Sequence, residues 1–415
     1  MDSSVITTST AEETADIAIV GGGPAALVLA IALARRGVRT TVFERDMHPE
    51  LAPRFNPDRS YTVDISGHGR RALRHIDACA YFDARLLPFK GIKVQGQATE
   101  ELHEPGWTGS RGDIVRALMA AITEKYQEWV GFEFDCRVTA VDVQTGTLTY
   151  TPKSGDAVTQ HFDFIIGGDG AGSVVRNALL QQIPGFTVET KSLPNYCTMI
   201  ELDRVGDQLD PHYLHGLSNS PFCAAGAIKG EQGPGSDRWF CAVGTKAKLA
   251  FASAEEVRRY FRKRCPRILE LASDEAIAAF AQRTCYHIGR KLTCSHLYGG
   301  KAVLLGDAAG PFPPIGQGVN AAMESAMVLD LCIDDVGHSP TALLEAAKRY
   351  NDKWKPEVDA VSWISEKSLF ENRFHELRTQ ITMKLGMHVA EQAKSADIPY
   401  SEVRRAAERR WPLWV

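Results

Sequence analysis

Three residues near the start of the chain have the spacing of a phosphate-binding turn. Gly21, Gly23 and Ala26 form the pattern G-x-G-x-x-A. The first glycine permits a tight turn, the second lets a phosphate approach the backbone, and the third small residue lets the flanking helix and strand pack closely. A helix that begins at Pro24 and Ala25 directs unpaired N–H groups and a partial positive charge at the phosphates. The pattern therefore predicts a dinucleotide site.

The segments around this turn are those that such a site requires. The apolar run at residues 16–20 predicts a buried parallel strand, and the alanine- and leucine-rich segment after the glycines predicts a helix. A second strand ends at Glu44, roughly 20 residues after Gly21, where a carboxylate can accept both hydroxyls of the adenosine ribose. We expect Arg45 and Arg59, which follow it, to contact the same cofactor.

A second copy of the glycine pattern lies at Gly67, Gly69 and Ala72. No apolar strand leads into it and two arginines follow, so we interpret it as a decoy. The context of strand, turn, helix, strand and acid distinguishes the first copy from the second.

Composition excludes several classes of protein. The chain has 415 residues, with 47 basic and 51 acidic side chains and a net charge of −4, which gives no overall attraction to nucleic acid or an anionic membrane. The nine cysteines show no CxxC pair, which indicates reduced thiols and a cytoplasmic protein without a metal cluster. No apolar run reaches the roughly 18 residues of a membrane span. The oligomeric state is left open.

The order of segments predicts an α/β fold with a discontinuous first domain. Short mixed strands between loops rich in Gly, Pro, Ser and Asn indicate an inserted antiparallel sheet, and the last part of the chain is helical. The predicted parts are a disordered leader (1–15), a Rossmann-type dinucleotide-binding domain (16–189 and 283–335), a substrate domain (190–282) and a helical C-terminal region (336–415).

A resemblance to a known family predicts which dinucleotide the discontinuous domain binds. GGDGAGSVVR at 167–176 and LLGDAAGPFPPIGQGVNAAMESA at 304–326 resemble the DG and GD motifs of the class A flavin-dependent aromatic hydroxylases. These are single-component enzymes that use FAD and a nicotinamide, NADPH or NADH. With the glycine turn, three ordered motifs cover residues 16–330.

The resemblance implies roles for residues in these motifs. Asp307 matches the acid near the ribityl chain of FAD, Asp169 a residue that contacts FAD and the nicotinamide, and Arg111 an arginine that contacts the cofactor. Arg176 matches a structural arginine. A solvated arginine in the first turn of a helix remains the alternative for Arg111.

The turn at Gly316, Gln317 and Gly318 opens a helix whose amides would face the flavin pyrimidine edge, with Val319 and Asn320 beside it. Pro314 fits the proline beside the flavin, where its ring offers no N–H. We therefore expect Pro314, Gly316, Gln317, Gly318 and Asn320 to form the reactive end of the site.

One residue departs from the family pattern. Gly310 replaces the usual histidine, which we expect to leave a small gap near the flavin. Within the family, residues 58–73 and 316–330 resemble the kynurenine 3-monooxygenase type, but its arginine and tyrosine grip on a carboxylate is not reproduced at Lys90 and Trp107. Kynurenine is therefore not carried over as the substrate.

The resemblance implies an FAD monooxygenase. NADPH or NADH reduces the flavin, dioxygen adds as a C4a-hydroperoxide, and one oxygen passes to an electron-rich aromatic or heteroaromatic molecule, with secondary metabolism as the expected setting. An epoxidase acting on an isoprenoid or alkaloid alkene and a non-catalytic flavin-binding protein remain alternatives. A flavin halogenase is disfavoured because Trp354 and Trp363 stand apart and no W-x-W occurs.

A flat aromatic substrate requires apolar walls with a few polar anchors, which we look for in the inserted sheet. His212 or His215 could remove a phenol proton, although an exposed loop residue is the plainer interpretation of His212. The candidate substrate contacts are Tyr196, Met199, His212, Tyr213, Phe222, Lys229 and Trp239.

Overall fold

A computed structural model describes residues 15–55, 61–94, 99–233, 235–368, 389–395 and 398–410. Arg59 and the predicted leader up to residue 14 lie outside these ranges. Ala15, assigned to the leader, is buried, and its N–H donates to the carbonyl oxygen of His338 at 3.4 Å.

The strands contribute mainly to two large sheets. In chain order they are β1 (Ile17–Val20), β2 (Thr40–Phe43), β3 (Thr62–Ile65), β4 (Leu87–Val94), β5 (Glu100–Ser110), β6 (Val130–Glu133), β7 (Cys136–Asp142), β8 (Thr147–Pro152), β9 (Val158–His161), β10 (Phe164–Gly167), β11 (Val188–Ser192), β12 (Tyr196–Leu202), β13 (Tyr213–Asn219), β14 (Phe222–Ile228), β15 (Arg238–Thr245), β16 (Tyr286–His287), β17 (Arg290–Cys294), β18 (Tyr298–Gly299) and β19 (Ala302–Leu304).

The helices surround these sheets. In chain order they are α1 (Pro24–Arg35), α2 (Gly67–His75), α3 (Cys79–Arg85), α4 (Arg111–Lys125), α5 (Val174–Gln182), α6 (Ala254–Arg264), α7 (Arg267–Leu271), α8 (Asp274–Ala281), α9 (Gly306–Ala309), α10 (Gly318–Val336), α11 (Pro340–Ser368), α12 (Val389–Gln392) and α13 (Tyr400–Arg410). Across the described ranges, no helix has the length and apolar character needed to cross a membrane.

The first large sheet is the predicted Rossmann-type core. Its order is β18-β19-β10-β1-β2-β6, and β1 pairs in parallel with both β2 and β10. Every residue of β1 and β10 is buried, as expected for parallel strands covered on both faces. Helix α1 is buried from Pro24 to Ala34 because small and aliphatic residues occupy all its faces.

The second large sheet has the order β16-β12-β15-β14-β13-β4-β5-β3. It extends beyond the predicted insertion at 190–282, because β3, β4 and β5 enter from earlier in the chain and β16 from later. Helices α6, α7 and α8 cover one face of it, where Ile200, Cys241 and Val243 are buried with Val257 and Phe261.

The opposite face of this sheet carries a smaller apolar cluster. Met199, Ile228 and Phe240 are buried there, and Phe55 and Cys197 pack against them. We call this face the roof.

The C-terminal part is helical where it is described, as predicted. Helix α10 has 19 residues and packs between α1 and the 29-residue helix α11. Tyr400 at the start of α13 and Trp354 of α11 are buried in the main core. The α/β fold with a Rossmann-type domain and a helical end is therefore confirmed. The second large sheet is antiparallel as predicted except between β4 and β13, which pair in parallel.

Candidate active site

The glycine turn after β1 lies directly against the DG segment. Gly21 has φ +96°, and a Cβ there would lie 2.6 Å from the carbonyl oxygen of Gly168, so only glycine is accommodated. A Cβ on Gly168 would in turn meet the Ala26 Cβ at 3.2 Å. This contact explains why a small residue is needed at the third position of the pattern.

Glu44 turns back toward the glycine turn from the end of β2. Its Oε2 accepts the N–H of Gly22 at 2.6 Å and its Oε1 accepts the N–H of Asp46 at 2.9 Å. Each carboxylate oxygen can accept a second hydrogen bond, so Glu44 retains capacity for ribose hydroxyls. Arg45, the next residue, is exposed.

The DG segment contains a carboxylate, Asp169, with one oxygen that has no hydrogen-bond partner. Asp169 Oδ2 accepts the N–H of Val174 at 2.6 Å, whereas its buried Oδ1 has no hydrogen-bond partner. Burial raises the pKa of Asp169, against the hydrogen bonds from Ser173 and Val174 that lower it. An oxygen of this kind can accept a donor from a ligand.

Arg176 ties the DG segment to the GD segment. Its guanidinium donates to the carbonyl oxygen of Ala308 at 3.0 Å and to that of Ala171 at 2.5 Å. The two motifs are far apart in sequence, and this side chain places them on one side of the sheet.

Asp307 of α9 is exposed to solvent but has many protein atoms around it. Desolvation by those atoms raises the pKa of its carboxyl, and the charges of Arg111 and Arg176 lower it. A group that is open to solvent but closely surrounded by protein lines a concave surface. Arg111 reaches the same place, since its Nη2 lies 3.4 Å from where a Cβ on Gly23 would be.

The turn before α10 borders open space. Pro314 and Gly316 are exposed, and Val319 is half-buried. A Cβ on Gly316 or Gly318 would meet no protein atom within 4 Å. The backbone of this turn is therefore accessible to a flat ring.

Two side chains of the turn do not point at such a ring. Asn320 Oδ1 accepts the N–H of Ser66 at 3.0 Å, and its Nδ2 donates to the carbonyl oxygens of Asp64 and Gly316, both at 3.0 Å. Gln317 is buried, with Oε1 accepting from Tyr400. Internal hydrogen bonds occupy both side chains, which position the backbone whose amides are expected to face the flavin.

The expected gap at Gly310 is also absent. Gly310 is buried, and a Cβ there would lie 2.9 Å from Cγ2 of Val358. Helix α11 fills the space that the family's histidine would occupy.

In the second copy of the glycine pattern, Gly69 allows two helices to pack closely. A Cβ on Gly69 would lie 2.3 Å from Asn320 Oδ1, so glycine lets α2 approach α10.

Tyr61 is a crevice residue that the sequence analysis missed. It is 44% exposed, although burial and the charges of Asp307 and Cys197 raise the pKa of its phenol against Arg111. The charges of Asp307 and Arg111 in the cofactor segments and of Cys197 in β12 thus all act on the Tyr61 phenol. It directly precedes β3, whose polar side chains were the available signal.

Two of the seven candidate substrate residues lie on the roof. Met199 belongs to its apolar cluster. Phe222 is cross-strand from Gly244, which pairs with Cys197, so it shares the roof face and is 50% exposed.

Two other candidates lie on the face of the sheet that α6, α7 and α8 cover, opposite the roof. Trp239 is buried in the cluster under α6 to α8, with His215 at 5.8 Å between ring centroids. Tyr196 shares the parity of Ile200, which belongs to that cluster. Because side chains alternate along a strand, neither lines the crevice.

The last three candidates are held elsewhere. His212 Nδ1 pairs with Asp210 Oδ1 at 3.0 Å, and the Tyr213 hydroxyl donates to Glu101 at 3.0 Å. Lys229 Nζ donates to the carbonyl oxygen of Ala84 at 2.9 Å.

Lys90 and Trp107 are not arranged to bind a substrate carboxylate together. Lys90 is exposed, and the Trp107 indole is buried and donates to Asp83 at 2.8 Å.

The arrangement fits FAD. The crevice offers a glycine turn at a helix N-terminus, an uncommitted oxygen on Asp169, the enclosed carboxyl of Asp307 and the open turn at Gly316 and Gly318. An extended dinucleotide needs such groups for its phosphates, its sugar chain and its ring.

The family model described as FAD binding domain matches residues 14–354, most of the chain. The chain belongs to this family. The predicted cofactor FAD and the predicted class, an FAD-dependent monooxygenase, are confirmed.

Named relatives agree with this class. The chain is 27% identical over 380 residues to kynurenine 3-monooxygenase of Salinispora arenicola, covering 88% of this chain and 80% of the relative. The Candida albicans enzyme of that name is 24% identical over 371 residues, covering 86% and 80% of the two chains.

Solved structures share the fold. A tetrameric form of 2-methyl-3-hydroxypyridine-5-carboxylic acid oxygenase has a TM-score of 0.65 at 18% identity, covering 86% of this chain and 91% of the other. PqsL of P. aeruginosa in complex with 2-aminobenzoylacetate has a TM-score of 0.64 at 21% identity, covering 88% and 98%.

Proposed function

We propose that this enzyme hydroxylates an electron-rich aromatic or heteroaromatic small molecule. The observation that carries the proposal is the open turn before α10, where a Cβ on Gly316 or Gly318 would meet no protein atom within 4 Å, so the backbone there is accessible to a flat ring. The apolar cluster of Met199, Ile228 and Phe240 supplies a surface against which such a ring can pack.

The proposed cofactor contacts follow the crevice. The amides at the start of α1 hold the pyrophosphate, with Glu44 on the ribose, and Asp307 and Arg111 hold the middle of the molecule. The backbone N–H groups of Gly318 and Val319 face the ring, where they stabilise negative charge. Arg45 and Asp169 complete the proposed set.

The chain's own contribution to the reaction is orientation and exclusion of water. Bound FAD supplies the redox and oxygen-transfer chemistry. Met199, Phe240 and Cys197 form an apolar surface above the ring, and Pro314 borders it without offering an N–H. Two electrons come from NADPH or NADH, one oxygen atom of dioxygen enters the substrate, and the other leaves as water.

The chain carries a single context-supported dinucleotide pattern, which favours a nicotinamide that binds transiently. All nine cysteines are free thiols, which favours a cytoplasmic enzyme. Secondary metabolism is proposed as the setting, and the division into a cofactor domain and a substrate domain is proposed with the sheet from β3 to β16 in the second.

The test is an assay of the FAD-loaded enzyme with a panel of phenols, anilines and indoles. We expect one or more compounds to stimulate NAD(P)H oxidation with matching oxygen consumption and a hydroxylated product. Stimulated oxidation that yields hydrogen peroxide and no hydroxylated product contradicts hydroxylation. An epoxide from an alkene substrate would instead favour the alternative reaction.

Asp307→Ala tests the proposed cofactor placement, with Asp274→Ala as the matched control. We expect it to lose most bound FAD, because the carboxyl lines the middle of the crevice, while the apoprotein remains folded. Asp274→Ala, at the exposed start of α8, should retain both FAD and turnover. Full yellow colour in Asp307→Ala would contradict the proposed cofactor placement.

A further inference from the structure

Strand β3 presents two different faces. Val63 packs against the main core and Ile65 is fully buried in it. Thr62 and Asp64 therefore lie on the opposite face. A Cβ on Gly226 of β14 would lie 2.7 Å from Thr62 Oγ1, which shows that this second face is turned toward the roof sheet.

Asp64 is also close to the open turn before α10. The Asn320 side-chain amide donates to the carbonyl oxygen of Asp64 and to that of Gly316, each at 3.0 Å. One amide group thus separates the backbone of Asp64 from the turn proposed to face the flavin ring. Asp64 lies next to the space where the substrate is expected.

The Asp64 carboxyl group is incompletely satisfied. Its Oδ1 is buried and has no hydrogen-bond partner. Burial raises the pKa of the carboxyl to about 6, against a hydrogen bond from Thr108 that lowers it. A buried acceptor without a partner carries a free-energy cost that a donor from a ligand removes.

Within the described residues, the basic side chain near Asp64 does not donate a hydrogen bond to its Oδ1. Lys394 is the cation whose charge acts on Asp64, but its Nζ donates to Glu100 Oε1 at 3.3 Å. Asn320 donates to the backbone of Asp64 and not to its carboxylate. The carboxylate thus remains available to a molecule placed between β3 and the roof.

We infer that Asp64 is a substrate-binding residue and that the aromatic substrate carries a basic nitrogen, an ammonium or protonated amine, which donates to its free Oδ1. This inference rests on the proposed function and deepens it, because it selects rings with a protonated amino group from the wider class of electron-rich rings. A hydrogen bond from a charged nitrogen to a carboxylate is shorter and stronger than one between neutral groups.

Two matched pairs of compounds test the inference: tyramine with 4-ethylphenol, and tryptamine with 3-ethylindole. Each pair shares a ring and differs in the charged nitrogen. At pH 7.5 we expect the FAD-loaded enzyme to bind and turn over the amine of a pair with the higher kcat/KM. Asp64→Asn keeps the shape of the side chain and should lower kcat/KM for the amine roughly 10- to 100-fold, with little change for the neutral compound.

Binding is measured separately from turnover, through the change in flavin absorbance and the shift in melting temperature when each compound is added. An amine-dependent signal that Asp64→Asn abolishes supports the inference. Asp274→Asn, a change of the same type at an exposed helix start, should leave both signals intact. Equal signals for amine and neutral compound in the wild type, unchanged in Asp64→Asn, overturn it.

These outcomes are distinguishable from failure of the proposed function. If neutral rings are hydroxylated without any preference for amines, the function stands and the inference fails. If no ring is hydroxylated, the proposed function fails, and the binding measurements alone decide the role of Asp64. A third measurement guards against misfolding: because an ionised buried carboxylate opposes folding, Asp64→Asn apoprotein should be at least as stable as wild type at pH 8.

Discussion

The hydroxyl of Tyr400 donates to Gln317 Oε1 at 3.1 Å, and both residues are buried. Tyr400 begins the C-terminal helix α13, whereas Gln317 lies in the turn proposed to face the flavin. The Tyr400 ring also stacks on His68 at 4.2 Å between ring centroids. Helix α13 therefore stabilises the turn before α10 through the Gln317 side chain.

Tyr400→Phe should weaken this hold without removing the stacked ring. The substitution leaves Gln317 Oε1 without its donor, so we expect a loss of about 1–3 kcal/mol in the free energy of unfolding. The turn should also become less ordered, which raises the Kd for FAD several-fold. Chemical denaturation and FAD titration measure the two effects.

Tyr350→Phe is the control for that variant. The Tyr350 hydroxyl is buried and donates to the carbonyl oxygen of Leu304 at 3.1 Å, away from the turn. It should lose similar stability with a smaller change in FAD affinity. An equal rise in the Kd for FAD in both variants would show that the Tyr400 contact has no special role.

Gly318→Val should separate folding from cofactor binding. Because no protein atom lies within 4 Å of a Cβ at Gly318, valine fits the apoprotein, and the melting temperature without FAD should barely change. With FAD the branched side chain should meet the ring, raising the Kd at least about 10-fold, equivalent to roughly 1.4 kcal/mol. Unchanged FAD affinity and turnover would exclude a close approach of the ring to this residue.

Gly310→His restores the residue that the family usually has, and it should be harmful here. A Cβ at this position already lies 2.9 Å from Val358, so the imidazole forces α11 outward. We expect a loss of at least about 2 kcal/mol in the free energy of unfolding. Adding Val358→Ala should recover part of the loss, and a double-mutant cycle measures the coupling. Purely additive effects would mean that the two positions do not compete for space.

Acid stability should depend on Asp330 of α10. Burial by itself raises the pKa of this carboxyl, but hydrogen bonds from Arg36 and His75 outweigh it, so the pKa is lowered. The Arg36 contacts are 2.7 and 2.9 Å and the His75 contact is 2.6 Å. Since the folded pKa is depressed, this stabilisation is complete above the ordinary value of about 4 and is lost as the pH falls through the folded pKa.

Asp330→Asn tests that dependence. It should cost about 2 kcal/mol at pH 7, where the ion pair to the partly exposed Arg36 is lost, and less at pH 3. Unfolding free energies measured at pH 7, 5, 4 and 3 give the comparison. A difference between wild type and variant that stays constant with pH would contradict the assignment.

Several parts of the site could be recognised from sequence because they are local. The glycine turn, the DG segment and the turn before α10 each combine backbone conformation with a helix N-terminus within a few residues. The φ of +96° at Gly21 and the close approach of Gly168 show why glycine is required there. Such requirements act over short stretches, so residue type and spacing determine them.

The substrate side depended on tertiary structure. Along a strand, a shift of one residue moves a side chain to the other face, and register is set by pairing with distant strands. Trp239 and Met199 were equally good candidates in sequence, but pairing places Trp239 under the helices and Met199 on the roof.

The sequence alone thus predicted the dinucleotide site and the general fold from short glycine and carboxylate patterns and the order of the segments. It predicted the coenzyme and the class of enzyme through the resemblance carried by the DG and GD motifs. Only the folded molecule showed that Asp64 has a buried carboxylate oxygen without a hydrogen-bond partner, that Val358 fills the space beside Gly310, and that the side chains of Asn320 and Gln317 hold the backbone of the turn. Each of these depends on contacts between segments far apart in the chain, whose packing no local pattern specifies.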